Sequence, residues 1–200
     1  VMLRRSKDQV LSLPPKLRSW LPVEVPRSTG AREVRAVVNL LLGQSRDAGS
    51  SPEGGQAGVR IQLLALLTKA RQQLAVAKVP ATLDFVTGAV EQGEKVIVFS
   101  CFDAPLQTLA KTLGEAAVLL TGITPVRKRQ ALVDSFQSDD GVRVFLANIV
   151  AGGVGINLTA ASQVVFNDLD WVPANHWQAE DRAYRIVQTR TVHVAYMVGR

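Results

Sequence analysis

The spacing of apolar positions changes near residue 95 of the 200-residue chain. Before it, the period is helical. Val34, Val37, Val38 and Leu41 fall at i, i+3, i+4 and i+7, which predicts an amphipathic helix with these four inward. Leu63, Leu67, Ala70 and Leu74 mark a second helix, and Leu83, Val86 and Val90 continue the pattern after Pro80 until Gly93 stops it. From Lys95 onward, short apolar runs alternate with amphipathic stretches. Lys95 to Ser100 is almost uninterruptedly apolar, as a strand buried on both faces would be. A helix then starts at Asp103 and Pro105, with Leu106, Leu109, Ala110 and Leu113 inward. A short strand at 116–120 ends at Thr121-Gly122, and Thr124 with Pro125 predicts a capped helix running through Arg127, Lys128 and Arg129 to Phe136. Strands at 142–147 and 163–167, a helix carrying Arg182 and Arg185, and a last strand at 191–198 complete the chain. Strand–helix alternation of this kind predicts an α/β domain with a parallel sheet and right-handed crossovers.

Two stretches break the pattern. Residues 1–30 mix basic side chains with Pro14, Pro15, Pro22 and Pro26, which excludes one long helix and predicts a connector that packs on a neighbour. Residues 43–58 are rich in Gly and Ser and read as a flexible loop. The remainder, 31–200, is read as one lobe.

Charge refines this picture. The chain carries 23 basic and 17 acidic side chains, a net charge of +6. Residues 1–35 hold eight basic against three acidic residues, so a net five of those six charges lie in this N-terminal stretch. A nucleic-acid contact and a solvated tail are equally compatible with that. A single cysteine, Cys101, excludes an internal disulfide, and the two histidines are too far apart in sequence to suggest a metal site. No apolar run has the length of a membrane span and no signal peptide is visible, so the expected location is cytoplasmic, or nucleoid-associated in a prokaryote.

In a parallel sheet of this class, ligands gather at the carboxyl ends of the strands. Here those ends carry Ser100, Thr121-Gly122, Asn148 and Asn167-Asp168. The run Gly152-Gly153-Val154-Gly155 after a strand lets backbone N–H groups converge on an anion. Arg182 and Arg185, three apart on a helix, would share a face and offer forks of donors suited to phosphate. Yet no G-x-x-x-x-G-K-[ST] loop occurs, and no paired-carboxylate magnesium site stands out. Half an active site is what remains.

The runs AGGVGINLTAA, DLDWVP and QAEDRAYRIVQ resemble motif V, the segment after it, and motif VI of the Swi/Snf-type DNA-translocating ATPases of helicase superfamily two. KVIVFSCFDAPLQTLAKTL is similar to motif IV of that family. TGITPVRKRQALVDSF resembles its glycine turn and following helix, and MLRRSKDQVLSLPPK the end of its first lobe. The resemblance covers nearly the whole chain and implies a RecA-like, three-layer C-terminal lobe. It implies that Arg182 and Arg185 are arginine fingers for ATP, with Gln178, Gly153, Gly155 and Asn157 on the nucleotide side. Ser100, Gly122, Arg129 and Asn148 become candidates for contacts to the backbone of double-stranded DNA. Magnesium and the phosphate cradle would belong to a first RecA-like lobe, without which this chain is expected to be inactive as an ATPase. An RNA-directed helicase of the same superfamily fits DWVP and QAEDRAYR less well.

Two positions differ from the family pattern. Asn148-Ile149-Val150 replaces the usual hydroxyl and basic residues, leaving Asn148 as the polar candidate there. Val187 stands where motif VI commonly has a glycine, and if that residue ends the helix in a left-handed cap, Val187→Gly is expected to be neutral or stabilising. Trp171 and Trp177 are read as core or lobe-packing residues rather than DNA-stacking ones, and Tyr184 as a packing residue. The alternatives are that Arg182 and Arg185 merely pair with Glu180 and Asp181, and that the chain is a non-catalytic DNA-binding or interaction module using its basic arm.

Overall fold

The computed structural model of the chain describes residues 13–46, 53–152 and 155–200. Six strands form one sheet, β1 (Lys16–Val23), β2 (Val96–Ser100), β3 (Ala117–Leu120), β4 (Val144–Asn148), β5 (Gln163–Phe166) and β6 (Val192–Gly199), in the order β1-β6-β5-β2-β4-β3. Every pairing is parallel, as the alternation of strands and helices predicted. The helices are α1 (Ala31–Arg46), α2 (Glu53–Ala77), α3 (Val79–Glu91), α4 (Asp103–Leu113), α5 (Val126–Ser138), the single turn α6 (Ile149–Gly152) and α7 (Pro173–Ala183).

The central strands are apolar throughout because both faces are covered. Ile97, Phe99, Phe145, Val164 and Phe166 point to one face, where they pack with Val133 and Phe136 of α5 and Ala179 and Ala183 of α7. Val96, Val98, Leu146 and Val165 alternate to the other, against Val79 and Val86 of α3 and Leu106 and Leu109 of α4. Helix, sheet and helix thus make three layers, the RecA-like architecture. Among the described residues no helix is long and apolar enough to cross a membrane.

Four expectations change. The arm contributes a strand, β1, which pairs only with β6 at the sheet edge. Its prolines disguised it, but Pro22 is tolerated in a strand whose outer edge needs no partner. Helices α1 and α2 take residues 43–46 and 53–58 of the expected loop, leaving 47–52 outside the described residues. Helix α1 is turned from its predicted face, with Val34 and Val38 exposed and Glu33 buried. Polar contacts set that rotation: Gln73 of α2 donates to Glu33 at 3.0 Å and accepts from the Gly30 N–H at 2.9 Å, while Lys69 lies 3.4 Å from Glu33. Finally, α5 starts at Val126 with Pro125 as its N-cap, and the Thr124 hydroxyl accepts from the Thr121 N–H instead of capping the helix.

Candidate functional site

The candidate residues fall at opposite ends of the sheet. Ser100, Gly122 and Asn148 lie at the carboxyl ends of β2, β3 and β4. Helix α7 leaves the carboxyl end of β5 and returns antiparallel to the strands, as a crossover between parallel strands must. Its last turn therefore meets residues 156–161, which precede the amino end of β5. The Leu158 N–H donates to the Arg182 carbonyl at 2.9 Å there. The arginines are thus not in the carboxyl-end crevice where the sheet class alone would put a ligand.

At the carboxyl ends, polar groups are spent on one another. The Ser100 hydroxyl, 1% exposed, donates to Asp168 and accepts from the Phe102 N–H at 3.1 Å. Asp168, 6% exposed, also accepts from the Cys101 N–H at 2.9 Å and the Asn167 amide at 3.3 Å. Asn167 is fixed in turn, accepting from the Thr82 hydroxyl and donating to the Ala75 carbonyl. Ser100, a candidate for a phosphate contact, here forms part of a buried latch between β2 and β5. The Asn148 amide donates to the Cys101 carbonyl at 3.3 Å and to Asp103 at 3.0 Å, while its oxygen accepts from the Val150 N–H, so its side chain ties β4 to the start of α4. Gly122 is exposed, with open space where a Cβ would stand. Arg129 folds back to donate its Nε to the Thr124 carbonyl at 3.0 Å, bracing the loop on which Gly122 sits. Arg127 and Lys128 project outward beside it.

The amino-end site is built differently. Helix α7 ends at Ala183, so Arg182 lies in its last turn and Arg185 beyond it. The expectation of two arginines sharing a helical face is corrected accordingly. The helix stops because its terminal carbonyls are claimed from outside: Leu158 takes that of Arg182, and the Gln188 amide donates to Ala183 at 3.2 Å. The same buried amide also donates to the carbonyls of Thr159 and Ala161, and its oxygen accepts from the Arg190 N–H. Gln188 thus sews the segment after α7 to the segment before β5.

Arg185 is exposed and donates to the Asn157 side-chain oxygen, and Arg182, half-buried, points an Nη at the Ile156 carbonyl at 3.5 Å. Burial, then the charge of Arg185, lowers the pKa of the Arg182 guanidinium against a smaller opposing pull from Asp181. Gly155 adopts φ +68°, where a side chain would be strained, and faces open space. Gln178 is exposed on α7. Gly153 lies outside the described residues. Asn157, Gly155, Arg182 and Arg185 are therefore brought together, as the spacing alone could not establish. Among the described residues no group of three or more His, Cys, Asp or Glu side chains could hold a metal ion.

Other positions turn out otherwise than read. Val187 is 70% exposed, and no described non-glycine residue has positive φ, so no left-handed cap exists there for glycine to improve. Tyr184 is buried, as read; Trp171 and Trp177, 68% and 58% exposed, lie outside the core of this lobe, which leaves the lobe-packing role. Arg71 of α2, which has no sequence signature, stacks its guanidinium 4.5 Å from the Trp171 ring and donates to the Leu169 carbonyl, pinning the loop after β5. Glu180, one candidate partner for the arginines, is fully buried and bound instead by Lys16, Arg18 and Tyr196.

The profile of the helicase conserved C-terminal domain matches residues 77–187. The chain is 33% identical over 204 residues to the mouse (Mus musculus) protein DNA annealing helicase and endonuclease ZRANB3, covering all of this chain and 18% of that protein. It therefore spans about a fifth of the length of this relative. Among solved structures it is similar to the C-terminal part of the Fun30 ATPase domain, with a TM-score of 0.75 at 20% identity over 94% of this chain and 86% of that one. It is also similar to the Sulfolobus solfataricus SWI2/SNF2 ATPase core in complex with dsDNA, with a TM-score of 0.72 at 24% identity over 93% of this chain and 41% of that one.

Proposed function

The chain belongs to the helicase conserved C-terminal domain family, as the C-terminal lobe of a Swi/Snf-type helicase-like ATPase, and from that premise we propose that it supplies arginine fingers to ATP held by a first lobe. The observation that carries this reading is the cluster at the amino ends of the strands. Arg182 points an Nη at the Ile156 carbonyl and Arg185 binds the adjoining Asn157, so both guanidiniums stand by the segment that follows a left-handed glycine facing open space. An anion bound beside both satisfies two permanent cations at once, and the γ-phosphate of ATP is such an anion. Arginine suits the task because its charge is permanent and its donors are fixed in a fork.

In this reading, ATP supplies the phosphoryl group that is transferred to water. Arg185 is the more mobile finger: its exposed guanidinium, held by Asn157, leaves that partner as the cleft closes. Arg182 aims from the helix end, with its backbone fixed by Leu158. Both meet the charge that spreads onto the equatorial oxygens in the transition state, so they raise turnover more than affinity. Gln178, exposed on the same helix, reaches the nucleotide or steadies the arginines. The metal that accompanies ATP is, in this reading, held by the first lobe.

Double-stranded DNA is the proposed track, in keeping with the DNA-bound Sulfolobus relative. The contacts assigned to it are the exposed Gly122 turn and the cations next to it, Arg127, Lys128 and Arg129, which grip phosphates without reading bases. The segment 149–158 runs from the carboxyl end of β4 to Asn157 beside the arginines, so it is the route by which the DNA end and the ATP end sense each other. Closure on ATP and reopening after hydrolysis would then alternate grips on the DNA and move the motor along it. The basic arm fits a separate DNA-binding module less well, since Lys16 and Arg18 are engaged with Glu180.

The test is ATP turnover by the full-length protein with duplex DNA, duplex RNA or neither. The reading expects strong stimulation by duplex DNA and little by RNA, with no turnover from the isolated 200-residue lobe. Turnover by the isolated lobe, or equal stimulation by RNA, contradicts it.

A further inference from the structure

Helix α7 meets the sheet through His176, whose ring packs edge-on against Phe166 at 4.7 Å, through the small side chains of Ala179 and Ala183, and through one buried carboxylate, Glu180. Between His176 at its start and the Leu158 and Gln188 contacts at its end, Glu180 is the buried charged tie from the helix to the strands. Alanines fill space but leave a helix free to slide or rotate by small amounts. Glu180 is fully buried, and its two oxygens are taken from two strands. From β1, Arg18 donates Nε at 2.8 Å and Nη2 at 2.6 Å, a two-point fork, while Lys16 places its Nζ at 2.8 Å. From β6, the Tyr196 hydroxyl donates at 2.6 Å.

The geometry of β1 makes this possible. Lys16 and Arg18 are two residues apart and therefore project from the same face of the strand. Tyr196, opposite Trp20 in the ladder, stacks on its ring at 4.6 Å. Burial pushes the Glu180 carboxyl up, but hydrogen bonds from Arg18, Lys16 and Tyr196 outweigh it and hold the carboxyl below its ordinary range. An ion cluster of this kind adds little net stability over an apolar replacement; its value lies in fixing geometry. Here it fixes the strand at the edge of the sheet against the helix whose last turn carries Arg182, two residues beyond Glu180.

We propose that Glu180 is a positioning residue that locks β1 to α7, so that the aim of Arg182 and Arg185 follows the position of the strand by which the chain enters the sheet. The inference rests on the reading of those two arginines as fingers for ATP. A bidentate arginine–carboxylate pair transmits both translation and rotation, which a lysine or an apolar contact does not. Movement of β1 is thereby felt at the phosphate. Glu180 touches neither ATP nor DNA and acts through the helix alone.

The experiment measures kcat and KM for ATP, at saturating duplex DNA, together with Tm, in the full-length protein and four variants. Glu180→Gln is expected to lower kcat by about 10- to 100-fold, the cost of misplacing a catalytic group by an ångström or so, with KM for ATP changed less than about twofold because uniform binding is untouched. Arg18→Lys keeps the charge but loses the fork, and is expected to lower kcat several-fold at nearly unchanged Tm. Val86→Ala, on the opposite face of the sheet, is expected to lower Tm while leaving kcat intact, which separates positioning from general loosening. If Glu180→Gln does not fold, Arg18→Lys carries the test by itself. Unchanged kcat in Glu180→Gln and Arg18→Lys, with Arg185→Ala inactive, overturns the positioning role and leaves the finger reading standing. Full turnover in Arg185→Ala as well overturns both.

Discussion

The two ends of the sheet use similar residue types in opposite ways. At the carboxyl ends, Ser100, Asp168 and Asn167 bond to one another and are almost wholly buried, while Asn148 bonds to Asp103 and to nearby backbone. At the amino ends, Arg185, Gln178 and Asn157 remain on the surface. A polar residue at the end of a strand is thus not itself a sign of a ligand. What distinguishes the arginine end is that Arg185 stands exposed beside a backbone turn, at Gly155, that keeps space open. The carboxyl end keeps its exposed features on one loop, the Gly122 turn with Arg127 and Lys128, while the strand ends beneath act as its foundation.

Substitutions can break or sharpen this contrast. The largest effect is expected at the arginine end: Arg185→Ala or Arg182→Ala should lower DNA-stimulated turnover of the full-length protein by about 10³-fold or more, with Tm of this lobe shifted little for Arg185→Ala. At the other end, Asp168→Ala should act on stability, since it strands the Ser100 hydroxyl and the Cys101 N–H in the interior. A loss of about 3 kcal/mol is expected, seen as a fall in urea midpoint, and a stable Asp168→Ala protein defective only in DNA binding would erase the contrast. Gln188→Ala should cost about 2 kcal/mol, because three carbonyls and the Arg190 N–H lose their partner. Smallest is Val187→Gly. With Val187 exposed and outside the left-handed region, glycine there only loosens the unfolded chain, and a loss of about 0.5 kcal/mol is expected, readable as a slightly lower Tm.

The reversal at Val187 shows where the sequence was legible and where it was not. Strands such as Val96–Ser100 and Val144–Asn148 announce themselves, because burial on both faces requires unbroken apolar runs. The order of motifs was enough to identify the lobe. The end of α7 could not be read, because it is set by Leu158 and Gln188, whose bonds to Arg182 and Ala183 bridge separate segments. Strand β1 was hidden for a related reason: its sequence, KLRSWLPV, is exposed over much of its length and earns its place by pairing with β6 and by the contact to Glu180. Glu180 itself resembles any charged helix residue until its depth is known. Its one local hint is position, four residues after His176 and flanked by Ala179 and Ala183 on the buried side.

The central claim is that this lobe stabilises the transition state of a reaction whose substrate is held elsewhere. Its most direct measurement compares the affinity of the full-length protein, with duplex DNA bound, for ATP and for ADP with fluoroaluminate, a mimic of the transferring phosphoryl group. In Arg182→Ala and Arg185→Ala the account predicts that ATP binds about as in the unaltered protein while the mimic binds at least about 100-fold more weakly. Unchanged binding of the mimic in both variants would contradict it.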